Sequence, residues 1–231
     1  MTIYHASSLF TGDEFLSDVY FSVDNGVFNR VEADANAVAL TGLVAPGFID
    51  VQVNGGGGAF FNAEQTPDCL DRIAKAHGQF GSTAIMPTLI TDQVEVMAKA
   101  ADATAQAIAE GVPGVMGVHF EGPHLSLPKK GTHSEQFIRP ITEQEFAIYA
   151  RQDLGIKMVT LAPENVSADD IARLVECGVK VSIGHTNADF ATTNAALAAG
   201  ADGFTHLFNA MSAFTSREPG VVGAALWDDN S

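Results

Sequence analysis

Three ionisable side chains lie at the ends of apolar runs that are typical of strands. Glu121 is the centre of His-Phe-Glu-Gly-Pro-His, directly after the run from Val115 to Val118, and His185 and His206 lie in SIGHT and GFTH. Two imidazoles and one carboxylate form a recurrent catalytic zinc set with one position left for water. Such water has a pKa of about 7 and can attack an acyl centre. Each residue alone could be a hydrogen-bonded polar group, but three equivalent positions favour a metal site.

The stretch HFEGPH contains two more imidazoles. His119 shares a strand face with Glu121, because residues two apart in a strand point the same way. It lies one step deeper, which predicts a residue that supports the ligands or a satisfied core histidine. His124 follows Pro123 in a loop and is predicted to be a solvated or rim histidine.

The loop KKGTH, residues 129–133, is basic in an acidic protein. Lysines in loops are usually solvated, and we expect no more of Lys129 and Lys130. His133, at the end of the glycine turn, is a better polar contact for a substrate.

A second candidate for binding an anion is the loop LFNAMSAFTSREPG. Asn209 and the amide of Ala210 come just after His206, and Arg217 follows. An arginine beside exposed amides suits a phosphate or a carboxylate. The alternative is a surface Arg217 that pairs with Glu218.

Composition limits the partners of the chain. Its 231 residues carry a formal net charge of −16, which argues against nucleic acid or an anionic membrane surface as the main partner. Cys69 and Cys177 are isolated, which favours a reducing cytoplasm over a disulfide framework. We therefore expect neither a signal peptide nor a membrane span, because the N-terminus has no basic start before a long apolar stretch and no run approaches 18 apolar residues.

Two kinds of sequence organisation divide the chain near residue 45. Residues 1–45 contain short β-prone runs with turn signals at Thr11-Gly12-Asp13 and Asp24-Asn25-Gly26. They predict a small antiparallel, sandwich-like β unit. Residues 46–231 alternate helix-like stretches that end in glycine with β-branched runs, which predicts about six parallel strands joined by helices.

A parallel sheet is either open or closed into a barrel. Chemistry-bearing residues at the carboxyl ends of several strands (Asn54, Glu121, His185 and His206) favour a (β/α)8 TIM-type barrel. An open, doubly wound sheet would concentrate them at one switch point, usually with a phosphate-binding loop, and the two common glycine-rich motifs for that loop are absent. We therefore predict an α/β fold with about six of the eight barrel strands and a small N-terminal β domain.

Taken together, these motifs resemble a known family. PGFIDVQVNG, HFEGPH followed by KKGTH, SIGHT, and THLFNAM with REPG beyond it are similar to the N-acetylglucosamine-6-phosphate deacetylases of the amidohydrolase superfamily. The blocks follow the family order over essentially the whole chain, and their joint occurrence is specific.

The resemblance implies a distorted barrel, with a small β domain assembled from both ends of the full-length chain. It implies one divalent metal ion, zinc or another divalent transition metal, and release of acetate from a phosphorylated N-acetyl amino sugar in amino-sugar catabolism. It also implies a homodimer when full length, in which a neighbouring subunit contributes to the phosphate site. The resemblance also implies a role for each site residue. The metal would be bound by Glu121, His185 and His206. The sugar and acetamide would be contacted by Thr132 and His133, with His133 helping to polarise the carbonyl, and the 6-phosphate would be held by Asn209, Ala210 and Arg217.

The chain departs from the family pattern in two places. Gln52-Val53-Asn54 stands where many amidohydrolases have His-x-His for a second metal, so we expect a single ion. The general base of the family is an Asp on a later strand, which we expect beyond Ser231; Asp228 and Asp229 stand in the wrong context. We therefore expect the chain to be incomplete at its C-terminus. We also expect its turnover to be impaired, because the general base is missing.

Two other functions stay open on the sequence. The chain could be a truncated phosphosugar-binding protein that releases no acetate. It could also be a sugar-phosphate lyase or isomerase, which would need a Schiff-base lysine or acid/base carboxylates at strand ends. Lys157 and Lys180 stand at strand starts, the wrong end of a barrel, which weighs against that reading.

Overall fold

Four strands form the N-terminal unit, Met1–Phe48, in the computed structural model, which describes all residues from Met1 to Ser231. They form one sheet in the order β3-β2-β1-β4. The strands are β1 (Ile3–Phe10), β2 (Phe15–Asp24), β3 (Val27–Arg30) and β4 (Val38–Val44).

The turn signals of this unit are confirmed, but its strand pairing differs from the prediction. Asn25 and Gly26 join β2 to β3 with φ values of 51° and 78°, as a tight hairpin requires. β1 and β2 are antiparallel, whereas β4 pairs with β1 in parallel, so the antiparallel prediction is wrong for β4. The buried apolar core of this sheet is small: Ala6, Leu9, Val19 and Phe21.

The second unit, Ile49–Ser231, is built on a six-stranded sheet in the order β12-β11-β10-β9-β8-β5. A two-stranded hairpin of β6 and β7 follows β5. The strands are β5 (Phe48–Val53), β6 (Gly55–Gly56), β7 (Ala59–Phe60), β8 (Ser82–Ile90), β9 (Gly117–Glu121), β10 (Ile156–Leu161), β11 (Val179–Ile183) and β12 (Gly203–Phe204).

Six helices accompany this sheet. Five of them connect successive strands where the sequence predicts them, and α6 was not predicted. The helices are α1 (Pro67–Gly78), α2 (Val94–Ala109), α3 (Glu143–Tyr149), α4 (Ala168–Glu176), α5 (Phe190–Ala198) and α6 (Gly220–Trp227). None of the helices combines the length and the apolar character that crossing a membrane requires.

Parallel register brings the carboxyl ends of the strands to one edge. Glu121 at the end of β9 is level with Ile90 on β8 and Thr160 on β10, and Thr160 is level with Ser182 on β11. The helices bury apolar side chains against the outer face of the strands, as Ile73 of α1, Ala100 of α2 and Leu174 of α4 show with no exposed surface. The α/β class and the parallel, barrel-type sheet of six strands are therefore confirmed.

Candidate metal and phosphosugar site

Three side chains from three strand ends converge at that edge. Glu121 ends β9, His185 follows β11 and His206 follows β12. The two histidine Nε2 atoms are 2.9 Å apart, and Glu121 Oε1 lies 3.2 Å from His185 Nε2 and 3.6 Å from His206 Nε2. All three can direct a ligand atom to one point, as the sequence predicts.

The far nitrogen of each ring determines what the near nitrogen can do. His185 Nδ1 is 2.8 Å from the carbonyl oxygen of Lys129, and His206 Nδ1 is 2.9 Å from that of Asn209. A carbonyl can only accept a hydrogen bond, so both Nδ1 atoms donate. In the neutral rings, two Nε2 lone pairs therefore face each other beside a carboxylate, an arrangement that favours a cation between them.

The carboxylate of Glu121 is buried and ionised. Burial opposes its ionisation, but the imidazoles of His133, His185 and His206 beside it outweigh burial and hold its pKa well below the usual range. The carboxylate of Glu121 in turn raises the pKa of His206. A cation at this point is therefore countered by a fixed negative charge.

The backbone at the site is unusual. His185 and His206 have φ values of 46° and 40°, and Phe208 and Ala210 in the following loop have 75° and 51°. Residues other than glycine rarely adopt this left-handed region, and they cluster at functional sites where the surrounding structure holds them.

An open cavity of about 460 Å³ surrounds the three donors. That volume suits a small ligand. Four of the five residues predicted to contact substrate line it: Thr132, His133, Asn209 and Ala210. Arg217 is exposed and does not line the cavity.

Two histidines of HFEGPH lie outside the group of Glu121, His185 and His206. His119 is buried below it, where Nδ1 contacts the Val51 carbonyl at 2.9 Å and Nε2 contacts Thr160 Oγ1 at 2.7 Å. The expectation of a solvated His124 is wrong, because its side chain is fully buried. Its Nδ1 donates to the Arg139 carbonyl and its Nε2 accepts from the Tyr149 hydroxyl of α3, each at 3.1 Å.

The lysines at the strand starts point away from this chemistry. Lys157 Nζ donates to the carbonyls of Tyr149, Arg151 and Cys177 at 2.7 to 2.8 Å. Lys180 pairs with Asp202 at 2.7 Å. Neither amine lines the cavity.

Sequence reasoning missed other residues near the site. Phe60 and Ile90 line the cavity, and Thr91 lies behind it in contact with His133. Thr91 carries the same signal as Glu121, His185 and His206, because it is a polar residue that closes a β-branched run. Phe60 could not be found this way, because it projects from the short hairpin of β6 and β7.

Comparison with known proteins identifies the family. The model of the amidohydrolase family matches residues 43–226, most of the chain. The chain belongs to the amidohydrolase family. The convergent Glu and His side chains are consistent with the divalent metal ions that amidohydrolases use.

Individual relatives of this amidohydrolase have known activities. It is 56% identical to an N-acetylgalactosamine-6-phosphate deacetylase of Shewanella sp. (strain ANA-3) over 200 residues, which is 86% of the chain and 51% of the relative. It is 40% identical to the N-acetylglucosamine-6-phosphate deacetylase of Bos taurus over 196 residues, 80% of the chain and 47% of the relative. The chain thus spans about half the length of these relatives.

A solved structure has the same fold. It is a mutant N-acetyl-D-glucosamine-6-phosphate deacetylase from Mycobacterium smegmatis in complex with N-acetyl-D-glucosamine-6-phosphate. This amidohydrolase superposes on it with a TM-score of 0.88 at 32% identity, over 98% of the chain and 61% of that structure.

Proposed function

We propose that this amidohydrolase takes part in the metal-dependent hydrolysis of N-acetylglucosamine 6-phosphate to glucosamine 6-phosphate and acetate, in amino-sugar catabolism. The observation that carries the proposal is the meeting of Glu121, His185 and His206 in a cavity also lined by His133 and Asn209. The three proposed metal ligands thus face the same cavity as polar groups that suit an acetamide and a phosphate.

The donor atoms fit a divalent metal ion. Tetrahedral zinc with bonds of about 2.0–2.1 Å separates its ligand atoms by roughly 3.3 Å. The three donor separations here are 2.9, 3.2 and 3.6 Å, which bracket that value. Glu121 Oε1, His185 Nε2 and His206 Nε2 would hold the ion, and we propose zinc. A bound divalent ion would supply a Lewis acid and lower the pKa of water.

His133 and Thr132 are placed to meet the acetamide. The buried His133 ring packs against the His185 ring with centroids 4.4 Å apart, and its Nε2 lies 3.8 Å from Glu121 Oε1. A carbonyl oxygen beside the metal-binding group would therefore lie within reach of His133. A hydrogen bond from that ring would stabilise the negative charge that develops on the oxygen. Thr132 lines the same cavity from the neighbouring loop position.

The loop after β12 is suited to the 6-phosphate. Phe208 and Ala210 are left-handed and flank Asn209, and backbone of alternating hand turns successive amides toward one side, which favours anion binding. The amide of Ala210 donates no hydrogen bond within the chain. Arg217 stays in the proposal as a phosphate ligand. Because it is exposed outside the cavity of its own chain, it would reach a phosphate in a neighbouring subunit of a homodimer.

The galacto epimer is a second candidate substrate. The Shewanella relative, at 56% identity, acts on N-acetylgalactosamine 6-phosphate, whereas the Bos taurus enzyme, at 40%, acts on the gluco epimer. The two sugars differ only at the C4 hydroxyl, so the same metal and phosphate contacts serve both. The ratio of kcat/KM for the two phosphosugars decides between them.

Other parts of the proposal concern organisation and setting. We propose that residues 1–45 form the small β unit and that residues 46–231 form the metal-dependent catalytic unit. Cys69 and Cys177 are free thiols, which is consistent with a cytoplasmic setting. The partner is a phosphorylated amino sugar, with no role for nucleic acid or membrane.

Metal content, ligand binding and acetate release test the proposal together. We expect about one zinc ion per chain, and we expect His185→Ala to lose it because one of three protein ligands is gone. His5→Ala, a partly exposed histidine of the N-terminal unit, is the matched control and should keep the metal. No bound metal in the wild type, or acetate release by the wild type that His185→Ala retains in full, would contradict the proposal.

The same measurements separate the rival functions. None of the residues that line the cavity is an Asp that could act as the expected general base. The chain could therefore bind the phosphosugar without releasing acetate, so the two are measured independently. Binding of metal and phosphosugar without acetate release would identify a phosphosugar-binding protein. A sugar phosphate trapped on a lysine by borohydride would identify a Schiff-base enzyme.

A further inference from the structure

Thr91, at the carboxyl end of β8, contacts the ring of His133 from behind the cavity. Both side chains are almost fully buried. The Thr91 hydroxyl lies 2.8 Å from His133 Nδ1, and the Thr91 backbone amide donates to the same nitrogen at 3.4 Å. The hydroxyl and the amide of Thr91 thus both contact Nδ1 of His133, whereas Nε2 on the other side of the ring faces Glu121.

The Thr91 amide indicates which nitrogen of His133 carries the proton. A backbone N–H can only donate, and its direction toward Nδ1 requires a lone pair there. A proton on Nδ1 would point at the amide hydrogen. The Thr91 hydroxyl can then donate to Nδ1 at 2.8 Å, which is closer than its other acceptor, the Glu121 carbonyl at 3.3 Å.

The opposite side of the ring leads to the same tautomer. His133 Nε2 is 3.8 Å from the ionised carboxylate of Glu121. An N–H at Nε2 is attracted to that carboxylate, whereas a lone pair would be repelled by it. Donors at Nδ1 and an acceptor beyond Nε2 both select the Nε2–H form.

We infer that Thr91 is a positioning residue that holds His133 as its Nε2–H tautomer, so that this N–H points into the cavity. The inference rests on the proposed function for its consequence, which is a hydrogen bond to the substrate carbonyl oxygen. The other tautomer would present a lone pair to that oxygen and would oppose the charge that develops on it.

The surroundings of Thr91 hold it in place. The Asn62 side chain accepts from the amide of Ile90 at 3.0 Å and donates to its carbonyl at 2.9 Å. Arg139 donates to the carbonyl of Asp92 at 2.8 Å, so both neighbours of Thr91 are fixed.

Gly122 leaves the room that the Thr91 hydroxyl needs. A Cβ at Gly122 would lie 2.2 Å from Thr91 Oγ1, and the φ of 84° at this position also disfavours any other residue. The Thr91 hydroxyl therefore occupies space that a side chain at position 122 would fill.

Long-range ¹H–¹⁵N correlation spectra of the histidine rings test the tautomer in the 231-residue chain, metal-free and zinc-loaded. We expect the wild-type His133 to give the pattern of an Nε2–H ring. An Nδ1–H pattern would overturn the inference, whatever the variants do.

Two variants test the role of the hydroxyl. Thr91→Val keeps the shape and the amide but removes the hydroxyl, and Thr91→Ser keeps the hydroxyl. The amide that remains in Thr91→Val is a long donor at 3.4 Å, whereas the lost hydroxyl lies at 2.8 Å. We therefore expect the Nδ1–H form to become detectable in Thr91→Val and to be absent in Thr91→Ser. Zinc affinity should stay within about twofold in both, because Thr91 offers no donor to the ion. An unchanged tautomer in Thr91→Val would overturn the role of Thr91.

Acetate release separates this inference from the proposed function. Where the wild type turns over, Thr91→Val should lower kcat about ten- to a hundredfold with KM within about twofold, and Thr91→Ser should restore kcat. An Nε2–H ring without any acetate release would contradict the proposed function alone. Acetate release with an Nδ1–H ring would contradict this inference alone.

Discussion

Individual residues at the site are held in conformations that an isolated chain avoids. Of the six non-glycine residues with positive φ in the molecule, four are His185, His206, Phe208 and Ala210. Each such residue costs of order 1–3 kcal/mol, and the surrounding structure must compensate. The carbonyls of His185 and Ala210 accept backbone hydrogen bonds at 2.9 and 3.1 Å, which supply part of that compensation.

Asn209 gives a prediction at this scale. We expect Asn209→Ala to weaken binding of N-acetylglucosamine 6-phosphate about ten- to a hundredfold, since one hydrogen bond to a charged group contributes about 1.5–3 kcal/mol. Calorimetric titration of the zinc-loaded chain measures the change, and zinc content should stay the same.

Unphosphorylated N-acetylglucosamine is the control ligand for Asn209. Its affinity should not change in Asn209→Ala, because the ligand lacks the phosphate that Asn209 is proposed to contact. An equal loss of affinity for both sugars would place Asn209 elsewhere on the substrate.

A residue's position and burial can be predicted from the sequence when the residues that determine them are close to it in the chain. Glu121, His185 and His206 could be predicted because each closes its own apolar run, and parallel strands end together. The burial of His124 could not be predicted, because its partners Arg139 and Tyr149 lie well beyond it in the chain.

At the scale of elements, local signals located five helices and every strand except β6 and β7, and they failed where tertiary packing dominates. α6 reads GVVGAALW, which is apolar on all sides and contains glycine, so it shows no helical periodicity. Its burial in the core stabilises it instead. The parallel pairing of β4 with β1 is likewise set by the path of the chain between β3 and β4, which no turn signal specifies.

Close packing of β9 on β10 gives a prediction for Gly117. A Cβ at Gly117 would lie 1.8 Å from the Ile156 carbonyl oxygen, so the two strands could not keep their separation. Gly117→Ala should lower the free energy of unfolding by about 3 kcal/mol or more. Urea denaturation followed by circular dichroism measures the loss.

Gly203 in β12 provides the matched control for Gly117. The nearest atom to a Cβ there is Ser182 Oγ at 3.6 Å, an ordinary contact. Gly203→Ala should change stability by no more than about 1 kcal/mol. Equal effects of the two substitutions would show that strand spacing is not the cause.

The burial of His124 makes folding sensitive to acid. Burial lowers the pKa of His124 to about 4, against 6.5 for an ordinary histidine. Between these two values the unfolded chain binds more protons, so stability is full above pH 6.5 and falls as pH drops toward 4. The loss from this residue is about 3 kcal/mol.

His124→Asn tests the origin of this acid sensitivity. The variant should be less stable than wild type at pH 7, because it loses the hydrogen bond with Tyr149. The difference should shrink by about 3 kcal/mol between pH 6.5 and pH 4, since the variant has no proton to gain at this position. Parallel pH curves from chemical denaturation would contradict the assignment.

At the scale of the whole molecule, an acidic chain is proposed to bind an anion. The formal net charge of −16 repels a phosphosugar at long range, although physiological salt screens charges beyond roughly 8 Å. Binding must therefore come from groups close to the ligand. A divalent ion at Glu121, the loop from Phe208 to Ala210, and Arg217 are the local positive features that the proposal uses.

Metal binding should stabilise one unit of the molecule and not the other. All three donors belong to the unit Ile49–Ser231, and none belongs to Met1–Phe48. Free zinc at a thousand times its Kd should stabilise the unit that holds the site by about 4 kcal/mol. Hydrogen exchange should slow in β9, β11 and the loop after β12, while β1 to β4 exchange as before. His185→Ala should abolish the difference, and equal protection of both units would mean that the ion binds elsewhere.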